Sequence, residues 1–135
     1  MSANEQPLPP SKILIVDDNA QNLELLEAYL EELPNATILH AFNGMEALDI
    51  AHAAGVRLLL CDPAYHVGDD LELTPATREE IARIVAEVKD HPGLYGYHLR
   101  DEPQFGLFGR LAEVTAYFRE LDPYHLAYIN HFPAV

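Results

Sequence analysis

Apolar residues fall along this chain of 135 residues in two alternating rhythms. Short continuous runs occur at residues 12–16, 36–41, 56–61, 94–99 and 126–130, and such runs bounded by Gly, Pro, Asn or Asp read as buried strands. Between them the apolar positions recur every three to four residues, which is helical spacing. Leu23, Leu26, Leu30 and Leu33 predict a helix capped by Asn19 and broken by Pro34, with all four leucines in the core. A second helix is predicted from Met45 to about Ala54, with Gly55 at its C-terminal cap. Thr74 and Pro75 open a third, with Ile81, Ile84, Val85 and Val88 on its apolar face. Leu111, Val114, Phe118 and Leu121 mark a fourth over residues 107–121, which Asp122-Pro123 stops.

Five strands alternating with four helices imply crossover connections and a parallel sheet. Five strands are too few for an eight-stranded barrel, so the expected fold is α/β. It is a five-stranded parallel doubly wound sheet in the flavodoxin-like order 2-1-3-4-5, with that fold's final helix missing. The run at 56–62 is expected to be its central strand, buried on both faces. Its terminal Asp62 stands at the sheet edge where such folds gather functional side chains. Residues 1–11 carry three prolines and no periodic pattern, and are expected to form a flexible tail before a single domain at 12–135.

Charge narrows the function classes. With 22 acidic against 8 basic residues the net charge is -14, which repels phosphate backbones and anionic lipid. Nucleic-acid and membrane partners are therefore not expected, and a cation is favoured. No apolar run approaches the roughly 18 residues that span a bilayer. The single cysteine, Cys61, is expected to be a small buried hydrophobe, and its solitude fits a reducing, cytoplasmic setting.

Residues 12–54 resemble the first half of a response-regulator receiver domain. The likeness rests on the first strand, the acidic pair Asp17-Asp18, Asn19, the leucine-rich helix, and Ala41-Phe42-Asn43-Gly44-Met45-Glu46-Ala47-Leu48. It implies that the acidic pair helps hold magnesium and that Asp62, at the end of the third strand, accepts a phosphoryl group. Clustered carboxylate oxygens suit a hard divalent cation. Beyond Gly55 the pattern changes. Pro63-Ala64-Tyr65-His66-Val67-Gly68 replaces the family's Met-Pro turn, strand four ends in Arg100-Asp101-Glu102-Pro103 without a switch hydroxyl, and no Lys precedes Pro133.

The later residues are similar to part of a (β/α)8 barrel of the retaining glycoside hydrolase type. Leu58-Leu59-Leu60-Cys61-Asp62-Pro63, Val88-Lys89-Asp90-His91-Pro92, Tyr95-Gly96-Tyr97-His98-Leu99-Arg100-Asp101-Glu102-Pro103 and Tyr128-Ile129-Asn130 carry that likeness. It implies that Glu102 is an inherited general acid/base, with Arg100 and Asp101 as local ion-pair neighbours. Retaining hydrolysis needs a second carboxylate about 5 Å away, which that family draws from a later strand.

Two half-resemblances, receiver-like at 12–54 and barrel-derived at 55–135, imply an engineered or chimeric scaffold joined near residues 53–55. Such a scaffold would have no native activity and no turnover. The alternatives are a divergent receiver-like phosphoacceptor domain binding a divalent cation, and an inactive hydrolase fragment. No cofactor is required on this reading, although Asp17, Asp18 and Asp62 form a candidate weak magnesium or calcium site. The uncovered sheet face implies a homodimer.

Overall fold

The computed structural model describes residues 9–131, and within it the chain divides into two compact units, Met1–Gly55 and Val56–Val135. Residues 1–8 of the expected tail, and the stretch after His131 where the final helix is expected to be missing, lie outside the described residues.

In the first unit β1 (Ser11–Val16) and β2 (Ala36–Ala41) pair in parallel, with Ile13 opposite Ile38 and Ile15 opposite His40. Between them runs α1 (Ala20–Leu30), whose N-cap Asn19 accepts a hydrogen bond from the Gln21 backbone N–H. The helix stops at Leu30 rather than Leu33, because Pro34 disfavours helical backbone at Leu33. Asn35 then turns the chain in the left-handed region, at φ 63°. α2 (Gly44–Ala53) follows β2, and its start is closed twice. Asn43 accepts from the Glu46 N–H, and Glu46 reaches back to the Phe42 N–H at 3.0 Å. Gly55, at φ 77°, ends it as expected. Ile15, Leu23, Ala41, Ala47, Leu48 and Ala51 form the core of this unit. The expectation that four leucines of α1 are core is corrected: Leu23 is buried and Leu30 half-buried, while Leu26 and Leu33 are exposed.

The second unit holds β3 (Leu58–Leu60), α3 (Pro75–Val88), β4 (Leu94–Asp101), α4 (Phe108–Leu121) and β5 (Leu126–Asn130). Its sheet is parallel throughout, in the order β3-β4-β5. Thr74 caps α3 through the Thr77 N–H, with Pro75 at the first helical position, where a missing N–H costs nothing. A 3₁₀ turn at Phe105–Leu107 leads into α4. Ile81, Ile84, Val85 and Val88 of α3 and Leu111, Val114 and Phe118 of α4 are buried. Tyr65, Tyr97 and Phe118 form the centre of the core, with ring centroids 4.7 to 6.2 Å apart. Gly96 is required where it stands, since a Cβ there would run into the Leu126 carbonyl of β5.

The α/β class and the parallel pairing are as expected, and so are the neighbours β1–β2 and β3–β4–β5. The single five-stranded sheet is not: the strands form a two-stranded and a three-stranded sheet. The central position of the third strand is corrected with it. β3 is only three residues long, lies at the edge of its sheet, shifts register between Leu58 and Leu59, and leaves Leu59 37% exposed. An unbroken apolar run gives no period by which to tell a doubly buried strand from a short edge strand.

Candidate functional site

Asp62 lies two residues past the end of β3, half-buried. One carboxylate oxygen accepts the Ala64 N–H at 2.9 Å, and its carbonyl accepts the N–H groups of Tyr65 and His66. The Asp-Pro pair thus folds the chain back on itself at the carboxyl edge of the sheet. The turn is anchored below by Tyr65, whose buried hydroxyl donates to the Leu60 carbonyl. Burial, with the Cys61 and Asp62 charges nearby, pushes the Tyr65 phenol far above its usual range, so it remains a donor at any physiological pH. Val67 then donates its N–H to the Leu99 carbonyl and is itself buried. The loop at 62–71 therefore packs on the sheet, although its polar composition gave no sign of two core residues.

Asp17 directly follows β1, its own N–H given to the Ala41 carbonyl of β2. Its carboxylate accepts the Asn19 N–H at 2.8 Å and the Asn22 side-chain amide at 3.1 Å. The backbone bond from Asn19 chiefly, and then Asn22, hold its carboxyl below the usual range, so it is an anion. Asp18 beside it is exposed. Within neither unit do the described residues gather three or more His, Cys, Asp or Glu side chains that could hold a metal ion.

Glu102 is exposed and sits in the left-handed region at φ 44°, its N–H donated to the Asn130 carbonyl at 2.6 Å. The expected ion-pair neighbours are engaged elsewhere. Arg100 meets the His66 ring at 3.3 Å, and Asp101 accepts the Asn130 side-chain amide at 2.6 Å. Leu59, Cys61, His98, Asp101, Tyr128 and Asn130 line an open cleft of about 440 Å³, in which the His98 and Tyr128 rings lie 5.6 Å apart. Cys61 is exposed there, which corrects its expected burial. Its thiol is still pushed up by partial desolvation, and then by the neighbouring Asp62 charge.

Sequence reasoning passed over Asp122, which it read only as the stop of α4. Its side chain is 4% exposed and accepts the Tyr97 hydroxyl and His125 Nδ1, each at 2.7 Å, and the Tyr124 N–H at 3.2 Å. Burial works to raise its pKa, but the bonds from Tyr97, His125 and Tyr124 outweigh it and hold the carboxyl below the usual range. An Asp-Pro after a helix also caps turns at the surface, so nothing in the local sequence separates the two roles.

Comparison with known proteins adds a family likeness. The chain is 30% identical over 99 residues to the response regulator SSK1 of Verticillium dahliae, a match covering 72% of this chain and 12% of that protein. It is 38% identical over 71 residues to the response regulator SSK1 of Cochliobolus heterostrophus, covering 53% of this chain and 9% of that protein. The chain thus spans about a tenth of the length of these relatives. No family model matches it, and no solved structure does. The chain carries a receiver-like segment, and its parallel α/β architecture fits one. Met1–Gly55 is 55 of 135 residues, or 41% of the chain, so matches covering 72% and 53% must run past Gly55 into the second unit. Neither relative is a glycoside hydrolase or a chimera by name. Among the described residues no helix is long and apolar enough to cross a membrane.

Proposed function

We propose that the chain is a divergent receiver-like phosphoacceptor domain in which Asp62 takes the phosphoryl group. The observation that carries this reading is the response-regulator match crossing Gly55, because a match of 99 residues in a chain of 135 must span the strand that Asp62 follows. In the reaction an Asp62 carboxylate oxygen attacks the phosphorus of a small phosphodonor. A mixed anhydride forms, the phosphorus–oxygen bond to the donor breaks, and its electron pair leaves with the donor. The Ala64 N–H and the turn at Asp62 hold the carboxylate in place for that attack.

Within the first unit the acidic pair Asp17-Asp18 would hold a divalent cation, and oxygen donors suit magnesium or calcium. Each Asp17 oxygen keeps a lone pair beside the hydrogen bond it accepts. When bound, such a cation neutralises charge on the incoming phosphoryl oxygens.

The test is incubation with acetyl phosphate and millimolar magnesium, followed by intact mass. One added phosphoryl group is expected, absent without magnesium and absent in Asp62→Asn. A thermal melt should also rise with magnesium in the parent chain and not in Asp17→Asn/Asp18→Asn. An unlabelled parent chain, or a labelled Asp62→Asn, overturns the reading. A scaffold with no native activity, the other reading of the sequence, requires that unlabelled result.

A further inference from the structure

We infer that Arg100 and His66 form an oxyanion site at the turn that carries Asp62, and that this site docks the phosphoryl group of the phosphodonor. The site stands on the geometry of the two side chains, while its assignment to the donor rests on the phosphoacceptor reading. Asp62 and His66 are the two ends of one turn: the Asp62 carbonyl accepts the His66 N–H, and the Asp62 carboxylate accepts the Ala64 N–H between them. Tyr65 and Val67 on either side of His66 are buried, and the Val67 N–H is given to the Leu99 carbonyl, which fixes the loop against the end of β4. There Arg100 Nη1 donates to His66 Nε2 at 3.3 Å. A guanidinium has no acceptor, so His66 accepts in the tautomer that carries its proton on Nδ1.

The chemistry at this contact is all donor. Arg100 Nε is buried and finds no hydrogen-bond partner among the described residues, and His66 Nδ1–H is a further donor. No carboxylate among the described residues pairs with Arg100. Arg83, by contrast, is held between Glu80 and Glu87, and Arg110 donates to the Asp69 carbonyl. The acids next to Arg100 in the chain are drawn the other way, toward β5: Asp101 lines the cleft with Cys61 and His98 and accepts the Asn130 side-chain amide, and the Glu102 N–H goes to the Asn130 carbonyl. Consecutive strand residues point to opposite faces, so Arg100 lies on the side away from that cleft. Two basic side chains in contact, with donors idle and no acceptor between them, repel a metal cation and call for an anion with several oxygens. A net charge of -14 repels long polyanions, so the fitting ligand is a compact oxyanion held by short-range bonds. Phosphoryl oxygens match the planar fork of a guanidinium, and the turn that positions His66 is the one that holds the Asp62 carboxylate.

The test uses the full chain. In the parent, the His66 ring protons followed by NMR should shift saturably with millimolar inorganic phosphate, and not with sodium chloride at equal ionic strength. Inorganic phosphate should also compete with acetyl phosphate for labelling read by intact mass. Arg100→Gln should raise the half-saturating acetyl phosphate about tenfold or more while leaving the limiting rate within about threefold, and Arg100→Lys should fall between it and the parent. Near-ultraviolet circular dichroism checks that each variant folds, and His66→Gln, on the loop rather than the strand, offers a second variant with the same direction of effect. A His66 ring unmoved by phosphate, or Arg100→Gln and His66→Gln that both keep the parent's half-saturating concentration, overturns the inference. So does phosphate that binds at His66 without competing with acetyl phosphate. A parent chain that shifts with phosphate yet takes no label keeps the oxyanion site and removes the Asp62 reading, so the two fail separately.

Discussion

Replacing Asp122 with alanine removes one buried carboxylate and leaves three donors without an acceptor. Tyr97 is fully buried and its hydroxyl loses the Asp122 acceptor, while His125 Nδ1 and the Tyr124 N–H lose theirs nearer the surface. A buried donor left unsatisfied costs about 1–3 kcal/mol, and a bond to a charged group contributes about 1.5–3 kcal/mol. Counting Tyr97 in full and the two less buried donors at a fraction gives about 3–5 kcal/mol for Asp122→Ala. Asp122→Asn retains one carbonyl oxygen for Tyr97 and His125 but turns an amide toward the Tyr124 N–H, so its cost should be smaller, about 1–2 kcal/mol. The pH dependence follows from the lowered carboxyl. Its folded pKa lies below the ordinary aspartate value of 3.8, so its contribution is fully present above that value and is lost as pH falls through the folded pKa. Urea unfolding should be followed by near-ultraviolet circular dichroism, which reports the packed Tyr65, Tyr97 and Phe118 rings of the second unit. The parent should lose stability as pH falls below about 4, and Asp122→Asn should lose less over that interval. An alanine variant within 0.5 kcal/mol of the parent at pH 7, well inside surface-substitution range, would refute the reasoning.

Gly96→Ala should cost about 2–4 kcal/mol by driving a methyl against the Leu126 carbonyl and splaying β4 from β5, seen as a lowered urea midpoint with an unchanged slope. Glu102 is not among the residues that line the cleft, so a chromogenic glycoside assay should give no turnover that Glu102→Gln removes, while Glu102→Gly should stabilise by about 0.5–1 kcal/mol by relieving the left-handed backbone. The open face bearing Leu59, Leu126 and Tyr128 is expected to bring two copies together about a two-fold axis. Light scattering should then show a dimer at micromolar concentration that Tyr128→Ser weakens, and a monomer mass that persists as concentration rises would dismiss it.

Legibility in the sequence followed from how local each determinant is. Strand and helix positions were readable because Asn19, Asn43, Thr74-Pro75 and Gly55 act within one turn of themselves. What the sequence could not give depended on partners distant along the chain. Leu26 and Leu33 have the spacing of core residues, yet burial depends on what faces the helix, and here only Leu23 is fully covered. Tyr65 and Val67 sit among polar neighbours, and only the reach of Tyr65 to the Leu60 carbonyl and of Val67 to Leu99 brings them inward. Asp62 was legible as a strand-end carboxylate, whereas the Asp122 network joins residues 25 apart in sequence and left no local mark.

The central claim is that Asp62 accepts a phosphoryl group, and borohydride reduction of the labelled protein tests it most directly. Reduction of an aspartyl phosphate converts that residue to homoserine, which peptide mass spectrometry locates without ambiguity. After acetyl phosphate and magnesium, homoserine is expected at position 62 and at neither position 17 nor 18. An unmodified chain, or homoserine at Asp17 or Asp18 with Asp62 intact, would contradict the account.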